Sequence, residues 1–142
     1  MDLVLLTYFA NSGNGFMMEC CRRSEADKKG GHLATRRADG RLMLRESAQC
    51  SQEDAEAFQD VSRHKFFNTN NLWIRLDHLK DLMDSHGGFV PLPTILNSKT
   101  VDPQQDSSTA VYQLETAMGA AIECFSKSAA VCVDRSRFAP VK

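Results

Sequence analysis

Apolar positions fall in short blocks separated by polar, glycine-containing breaks, and the blocks alternate between helical and extended spacing. Asp2 to Ala10 opens on an acidic residue and runs without Gly or Pro, which predicts a helix stopped by Asn11-Ser12-Gly13-Asn14-Gly15. Phe16 to Cys21 is a short apolar run bounded by Arg22-Arg23, the pattern of a buried central strand. Leu33 to Arg37 and Arg41 to Glu46 flank Ala38-Asp39-Gly40, and Asp-Gly between two extended runs predicts a hairpin. Gln52 to Val61 carries Ala55, Phe58 and Val61 at helical spacing. Phe66 to Ile74 reads as a strand, and Asp77 to Ser85 as a helix ended by Gly87-Gly88.

Leu92 to Leu96 predicts a short strand that starts at an edge, because Pro91 and Pro93 break it. Asp102 to Thr109 is polar, contains Pro103 and predicts an exposed loop. Leu114, Ala117, Met118, Ala121, Ile122 and Phe125 share one face of a helix opening at Gln113-Leu114-Glu115. Ala129 to Val133 predicts a last strand. Strands alternating with helices indicate an α/β sheet, partly parallel, with an added hairpin. The chain opens inside a helix-like run and stops directly after a strand, so it is expected to be a slice of a larger domain.

A length of 142 residues suits one domain, and 42% hydrophobic with 25% charged residues is ordinary for a globular protein. The net charge of −1 and a pI near 6.4 give no basic field for nucleic acid or an anionic membrane. The five cysteines contain no CxxC pair, which argues against a disulfide framework or a zinc site and for a reducing compartment. The four histidines show no metal-ligand spacing. Asp2 stands where a signal peptide would be basic, and no apolar stretch is long enough to span a bilayer. The expected setting is cytoplasmic.

Candidate chemistry concentrates at Phe66-Phe67-Asn68-Thr69-Asn70-Asn71-Leu72-Trp73. Side-chain amides beside a core strand need partners. Either the asparagines cap the following helix, or they meet the hydroxyls of a sugar. Lys28-Lys29-Gly30-Gly31-His32 is a basic turn whose glycines let backbone approach a ligand, or else a solvated turn. Glu46 could accept two sugar hydroxyls, or pair with Arg41 or Arg45 at the surface. Arg135-Ser136-Arg137 and Lys142 gather cations after the last strand, where α/β folds place ligands, although such charges are commonly solvated. No nucleophile–base arrangement and no acid/base pair of carboxylates is legible.

These blocks resemble a known family. Asp27-Lys28-Lys29-Gly30-Gly31-His32-Leu33-Ala34, Leu44-Arg45-Glu46-Ser47-Ala48-Gln49, Phe67-Asn68-Thr69-Asn70-Asn71-Leu72-Trp73, Gln113-Leu114-Glu115-Thr116-Ala117-Met118-Gly119-Ala120-Ala121 and Arg135-Ser136-Arg137-Phe138 through Pro140-Val141-Lys142 look like successive segments of the UTP–glucose-1-phosphate uridylyltransferases, in the family's order. The resemblance implies a Rossmann-like, GT-A-like nucleotidyltransferase core of mixed α/β type, incomplete at both ends. It implies reversible formation of UDP-glucose and pyrophosphate from UTP and glucose 1-phosphate with Mg²⁺, by direct attack of the sugar phosphate. Carried over, Glu46 would bind glucose hydroxyls with Asn68 and Asn70 beside it. Gly31 would border the sugar through its backbone, and Lys142 would contact the transferring phosphate. Asn71, nearest Leu72-Trp73, is the expected structural member of the cluster.

The family's glycine-rich nucleotide loop, its metal-binding aspartate and its C-terminal β-helix have no counterpart here. The chain is therefore expected to hold much of the sugar side of a site, with the metal ligand elsewhere and oligomerisation a property of the longer enzyme. The alternatives are a non-catalytic sugar-binding or subunit-association remnant, or a UDP-sugar pyrophosphorylase for another sugar 1-phosphate.

Overall fold

The computed structural model describes residues 2–139. Its first helix, α1 (Leu3–Ser12), begins where the Asp2 carboxylate accepts the N–H groups of Val4 and Leu5 at 3.0 and 3.1 Å. It ends where Gly13 turns left-handed at φ 69°. The strands that follow are β1 (Phe16–Arg22), β2 (His32–Thr35) and β3 (Leu42–Arg45). Next come α2 (Ala55–Gln59), β4 (Phe66–Ile74), α3 (Leu76–Ser85), β5 (Thr94–Thr100), β6 (Ala110–Thr116) and β7 (Ser128–Cys132).

β1 is the centre of a three-stranded sheet in the order β4-β1-β7. It pairs antiparallel with β4 and parallel with β7, so the sheet is mixed. Its run from Phe16 to Cys21 is buried on both faces, as expected of a central strand. Phe16, Met18 and Cys20 pack with Leu33 and Leu44 of the β2–β3 hairpin and with Ala121, Ile122 and Phe125. The hairpin forms around the Asp39-Gly40 turn, Gly40 taking φ 70°.

Three expectations are corrected. Residues 113–125 do not form a helix: β6 occupies Ala110–Thr116 and a 3₁₀ turn spans Met118–Glu123. Seven consecutive pairs between β5 and β6 satisfy this backbone within a local hairpin. The apolar spacing did not mark one buried face either, because Leu114 and Met118 are exposed. The strand expected at Leu92–Leu96 starts later and runs longer, Thr94–Thr100, clear of both prolines. The helix expected over 52–61 shrinks to Ala55–Gln59 around the buried Phe58.

β4 carries an irregularity against β1. Met18 pairs with Leu72 and Cys20 with Asn68, so Glu19 alone faces three residues, Thr69, Asn70 and Asn71. The surplus chain bulges, and Asn70 takes φ 62°, a left-handed conformation that asparagine tolerates. The bulge is pinned from inside. Thr69 Oγ1 donates to the Glu19 carbonyl at 2.9 Å. The Glu19 carboxylate, 2% exposed, accepts from Trp73 Nε1 at 2.9 Å and from Arg137 Nε and NH2 at 3.0 and 3.1 Å.

Among the described residues no helix is long and apolar enough to cross a membrane. Two surfaces stand open, however. Leu3, Val4, Leu6 and Tyr8 of α1 are exposed, as are Leu96, Tyr112 and Leu114, which share one face of the β5–β6 hairpin.

Candidate functional site

Gly31 enters β2 directly against Glu46, at the exit of β3. A Cβ at Gly31 would stand 2.6 Å from Glu46 Oε2 and 2.8 Å from the Arg45 carbonyl, so only glycine fits this approach. Glu46 is half-buried, and among the described residues its carboxylate takes no hydrogen bond or ion pair. The expected surface pairing fails because both arginines are engaged elsewhere. Arg41 donates to the carbonyls of Glu123 and Phe125 at 2.9 and 2.6 Å, and Arg45 lies over the Phe58 ring at 5.3 Å. Burial, and then the charge of Glu115, push the Glu46 carboxyl above the usual range. An under-satisfied carboxylate of this kind is a ready acceptor for hydroxyl donors.

The asparagine cluster does not cap α3, whose N-cap is Arg75 with no side-chain bond. Asn68 and Asn70 instead lock each other: Asn70 N donates to Asn68 Oδ1 at 2.8 Å, and Asn68 Nδ2 to Asn70 Oδ1 at 2.9 Å. Asn70 is exposed and Asn68 half-buried, so both keep unused donors and acceptors on the open side of the bulge. Asn71 differs, its Nδ2 reaching Glu19 Oε2 at 3.5 Å, in line with a structural role.

Gly119 joins these two pairs. A Cβ there would lie 2.5 Å from Leu44 Cδ2 and 2.6 Å from Asn68 Nδ2, so only glycine lets this turn sit between Asn68 and β3. Glu115, read in the sequence as a helix-start residue, sits on β6, where it accepts from Asn97 Nδ2 and faces Glu46 electrostatically. A cleft of about 680 Å³ opens beside Glu46, lined also by Arg36, Gln49, His86 and Glu123. Gly31, Asn68 and Asn70 do not line it. Lys142, the expected phosphate contact, lies outside the described residues.

The Lys28-Lys29-Gly30-Gly31 turn is held from below by Arg23, a residue that sequence reasoning did not single out. Its guanidinium donates to the carbonyls of Lys28 at 2.7 Å, Phe58 at 3.2 Å and His64 at 3.2 Å. Asp27, at the head of the turn, takes both guanidinium nitrogens of Arg135 at 2.9 and 3.0 Å. The Arg135 guanidinium, with Ser24, holds the Asp27 carboxyl down to about 2. Arg135 also lies over the rings of Phe67 and Phe138 at 5.2 and 5.9 Å. The two arginines after the last strand, expected to be solvated or ligand-facing, are thus braces. They were illegible because their acidic partners are more than a hundred residues away. Glu19 did carry a signal, since a lone carboxylate inside an apolar strand must find partners.

The glycine at 31 gives a direct prediction. Gly31→Ala should force the turn away from Glu46, costing roughly 1–3 kcal/mol of stability. Thermal unfolding would read the effect; an unchanged Tm would mean the close approach is unimportant.

His32, fully buried beneath the same turn, stacks on His64 with ring centroids 3.9 Å apart and meets Phe58 at 4.4 Å. Burial, with His64, Arg23 and Arg45 around it, pushes its imidazole down to about 3. Above pH ~6.5 the ring is neutral in both folded and unfolded chains, and its contribution to stability is complete. Below that the unfolded chain binds a proton that the native state refuses, so stability falls as pH drops toward 3, by at most roughly 1.4 kcal/mol per pH unit. His32→Phe should flatten urea-unfolding stability between about pH 6.5 and 4.5; an unaltered slope would assign the acid sensitivity elsewhere.

Comparison with known proteins bears on this arrangement. The sequence profile of the UTP–glucose-1-phosphate uridylyltransferases matches residues 1–142. The chain is 43% identical over 142 residues to the uridylyltransferase of Encephalitozoon cuniculi and 39% to that of Hordeum vulgare, covering 27% and 28% of their lengths. In three dimensions it superposes on a UDP-glucose phosphorylase from Trypanosoma brucei with TM-score 0.93 and 56% identity. That match covers 99% of this chain and 30% of the other. A Leishmania major UDP-glucose pyrophosphorylase variant, solved in complex with UDP-glucose, gives TM-score 0.89 and 53% identity over 99% of this chain and 32% of its own.

Proposed function

Since the chain belongs to the UTP–glucose-1-phosphate uridylyltransferase family, we propose that it supplies the sugar-binding side of an enzyme joining UTP and glucose 1-phosphate to give UDP-glucose and pyrophosphate. The observation that carries this reading is the half-buried Glu46 carboxylate, unpaired among the described residues and closed against the backbone of Gly31. Glu46 accepts hydroxyls of the glucose ring, Asn68 and Asn70 bind from the bulge of β4, and Gly31 borders the sugar through its backbone. The mixed sheet is part of a Rossmann-like nucleotidyltransferase core, and Lys142 neutralises the transferring phosphate.

Catalysis in this reading is positioning and charge neutralisation, with no covalent enzyme intermediate. Mg²⁺ would supply Lewis-acid neutralisation of the nucleotide phosphates when bound. Its protein ligand is proposed to lie outside the described residues, which hold no group of three or more His, Cys, Asp or Glu side chains; one or two carboxylates with the nucleotide phosphates would suffice to hold it. The nucleotide-binding loop and a C-terminal β-helix likewise belong to the longer polypeptide. The chain spans less than a third of the relatives it matches, and the exposed apolar faces of α1 and of the β5–β6 hairpin are where further polypeptide would pack.

The isolated chain is expected to form no UDP-glucose from UTP, glucose 1-phosphate and Mg²⁺, whereas a longer polypeptide that contains it turns over. Pyrophosphate release above a buffer blank from residues 1–142 alone would refute this division of the site.

A further inference from the structure

Two cysteines lie side by side in the parallel half of the sheet. Cys20 on β1 and Cys132 on β7 are register partners, and both are free thiols. Partners on adjacent strands project to the same face, with the strands about 4.8 Å apart. Both residues line one groove of about 320 Å³, whose other walls include Leu33, Leu42, Phe66 and Ala130. Backbone spacing of this order lies within the roughly 4.4–6.8 Å that even a direct sulfur–sulfur link requires, and a single bridging atom is less demanding.

The two thiols are unequal. Cys132 is exposed at the rim. Cys20 is 3% exposed, donates its S–H to the Val131 carbonyl at 3.3 Å, and is pushed up to about 12 by burial, with Cys132 and Cys21 adding to the shift. A buried thiol of that kind attacks a free reagent slowly, so it enters second, once the exposed partner holds the reagent beside it. Cys21 alternates to the opposite face of β1, does not line the groove, and donates its S–H to the carbonyls of Val133 and Asp134 at 3.5 and 3.7 Å.

We propose that Cys20 and Cys132 form a two-thiol site for a soft, thiophilic centre, a class represented by trivalent monoorganoarsenicals. Cys132 captures the arsenic first and Cys20 closes the ring. Two As–O bonds of R–As(OH)₂ break, two As–S bonds form, and each thiol proton leaves with a hydroxide as water. Arsenic remains trivalent, so neither oxidant nor reductant is needed. The second bond forms intramolecularly, which holds the adduct far beyond what one sulfur achieves. The apolar walls of the groove accept an aryl substituent.

The test uses phenylarsine oxide on the purified chain, with intact-mass readout after challenge by excess monothiol. One adduct is expected, released by a dithiol, and persisting under monothiol about a hundredfold longer than on Cys132→Ser or Cys20→Ala. Cys132→Ser changes an exposed residue, so its result stands even if Cys20→Ala folds poorly. Cys50 and Cys124, which line a different cleft, serve as controls, and Cys50→Ser and Cys124→Ser should retain the adduct. Absence of an adduct, its undiminished persistence on Cys132→Ser, or its loss with Cys124→Ser would each overturn the assignment.

Discussion

Glu46→Gln, in an enzyme that carries residues 1–142, is expected to lower kcat/KM for glucose 1-phosphate about tenfold or more while leaving the KM for UTP unchanged. The change replaces an acceptor-only carboxylate by an amide that can accept at one atom only. Losing a buried, charge-assisted hydrogen bond to a hydroxyl costs roughly 1–3 kcal/mol. The electrostatics separate this effect from unfolding. The Glu46 carboxyl is raised by burial and by Glu115, so above the native titration range the folded state bears a charge that it disfavours relative to the unfolded chain. At pH 7 the neutral Gln therefore leaves thermal stability unchanged or increased. Reduced kcat/KM together with reduced stability would make Glu46 a structural residue, and unchanged kcat/KM would remove it from the sugar site.

The largest stability effect is expected at Glu19. Its carboxylate holds Arg137, Trp73 and Asn71, while its carbonyl holds Thr69. Glu19→Ala strands the Trp73 N–H and, among the described residues, leaves Arg137 with only Asp2, at 3.0 Å. Breaking a buried ion pair costs about 3–5 kcal/mol. Arg137 is 35% exposed and can turn to water, so the low end applies, about 3 kcal/mol or a fall in Tm of roughly 6–12 °C. Glu19→Gln keeps an acceptor for Trp73 and should recover part of the loss. The Glu19 carboxylate also steadies the β4 bulge through Asn71 and Trp73, while Thr69 stays on the backbone carbonyl; if Asn68 and Asn70 bind the sugar as proposed, Glu19→Ala should weaken that binding, although it touches neither. A Tm within 2 °C or so of the parent would show that the bulge is held by other contacts.

Much of this arrangement was legible because local pattern and tertiary context agree. Phe16 to Cys21 lacks polar alternation and is buried on both faces; Asp39-Gly40 turns where its dihedral demands require; Phe66 to Ile74 is one strand. Residues 113–125 misled because Leu114, Ala117, Met118 and Ala121 keep helical spacing while pairing with β5 claims the first half of that segment. The closed contact of Gly119 with Asn68 and Leu44 leaves no trace in periodicity. The long-range braces, Asp27 to Arg135 and Glu19 to Arg137, depend on chain reversals that no window of sequence contains. The resemblance to uridylyltransferases pointed to Glu46, Asn68 and Asn70 without their geometry. The fold adds that Asn68 and Asn70 lock each other and that Gly31 abuts Glu46.

The central claim is that Glu46, Asn68 and Asn70 face the sugar of the nucleotide product. An experimental structure of the longer enzyme soaked with UDP-glucose tests it most directly. The Glu46 carboxylate should lie within about 3.2 Å of two glucose hydroxyls, with an amide of Asn68 or Asn70 on a third. A glucose ring bound clear of Glu46, with that carboxylate still unpartnered, would contradict the account.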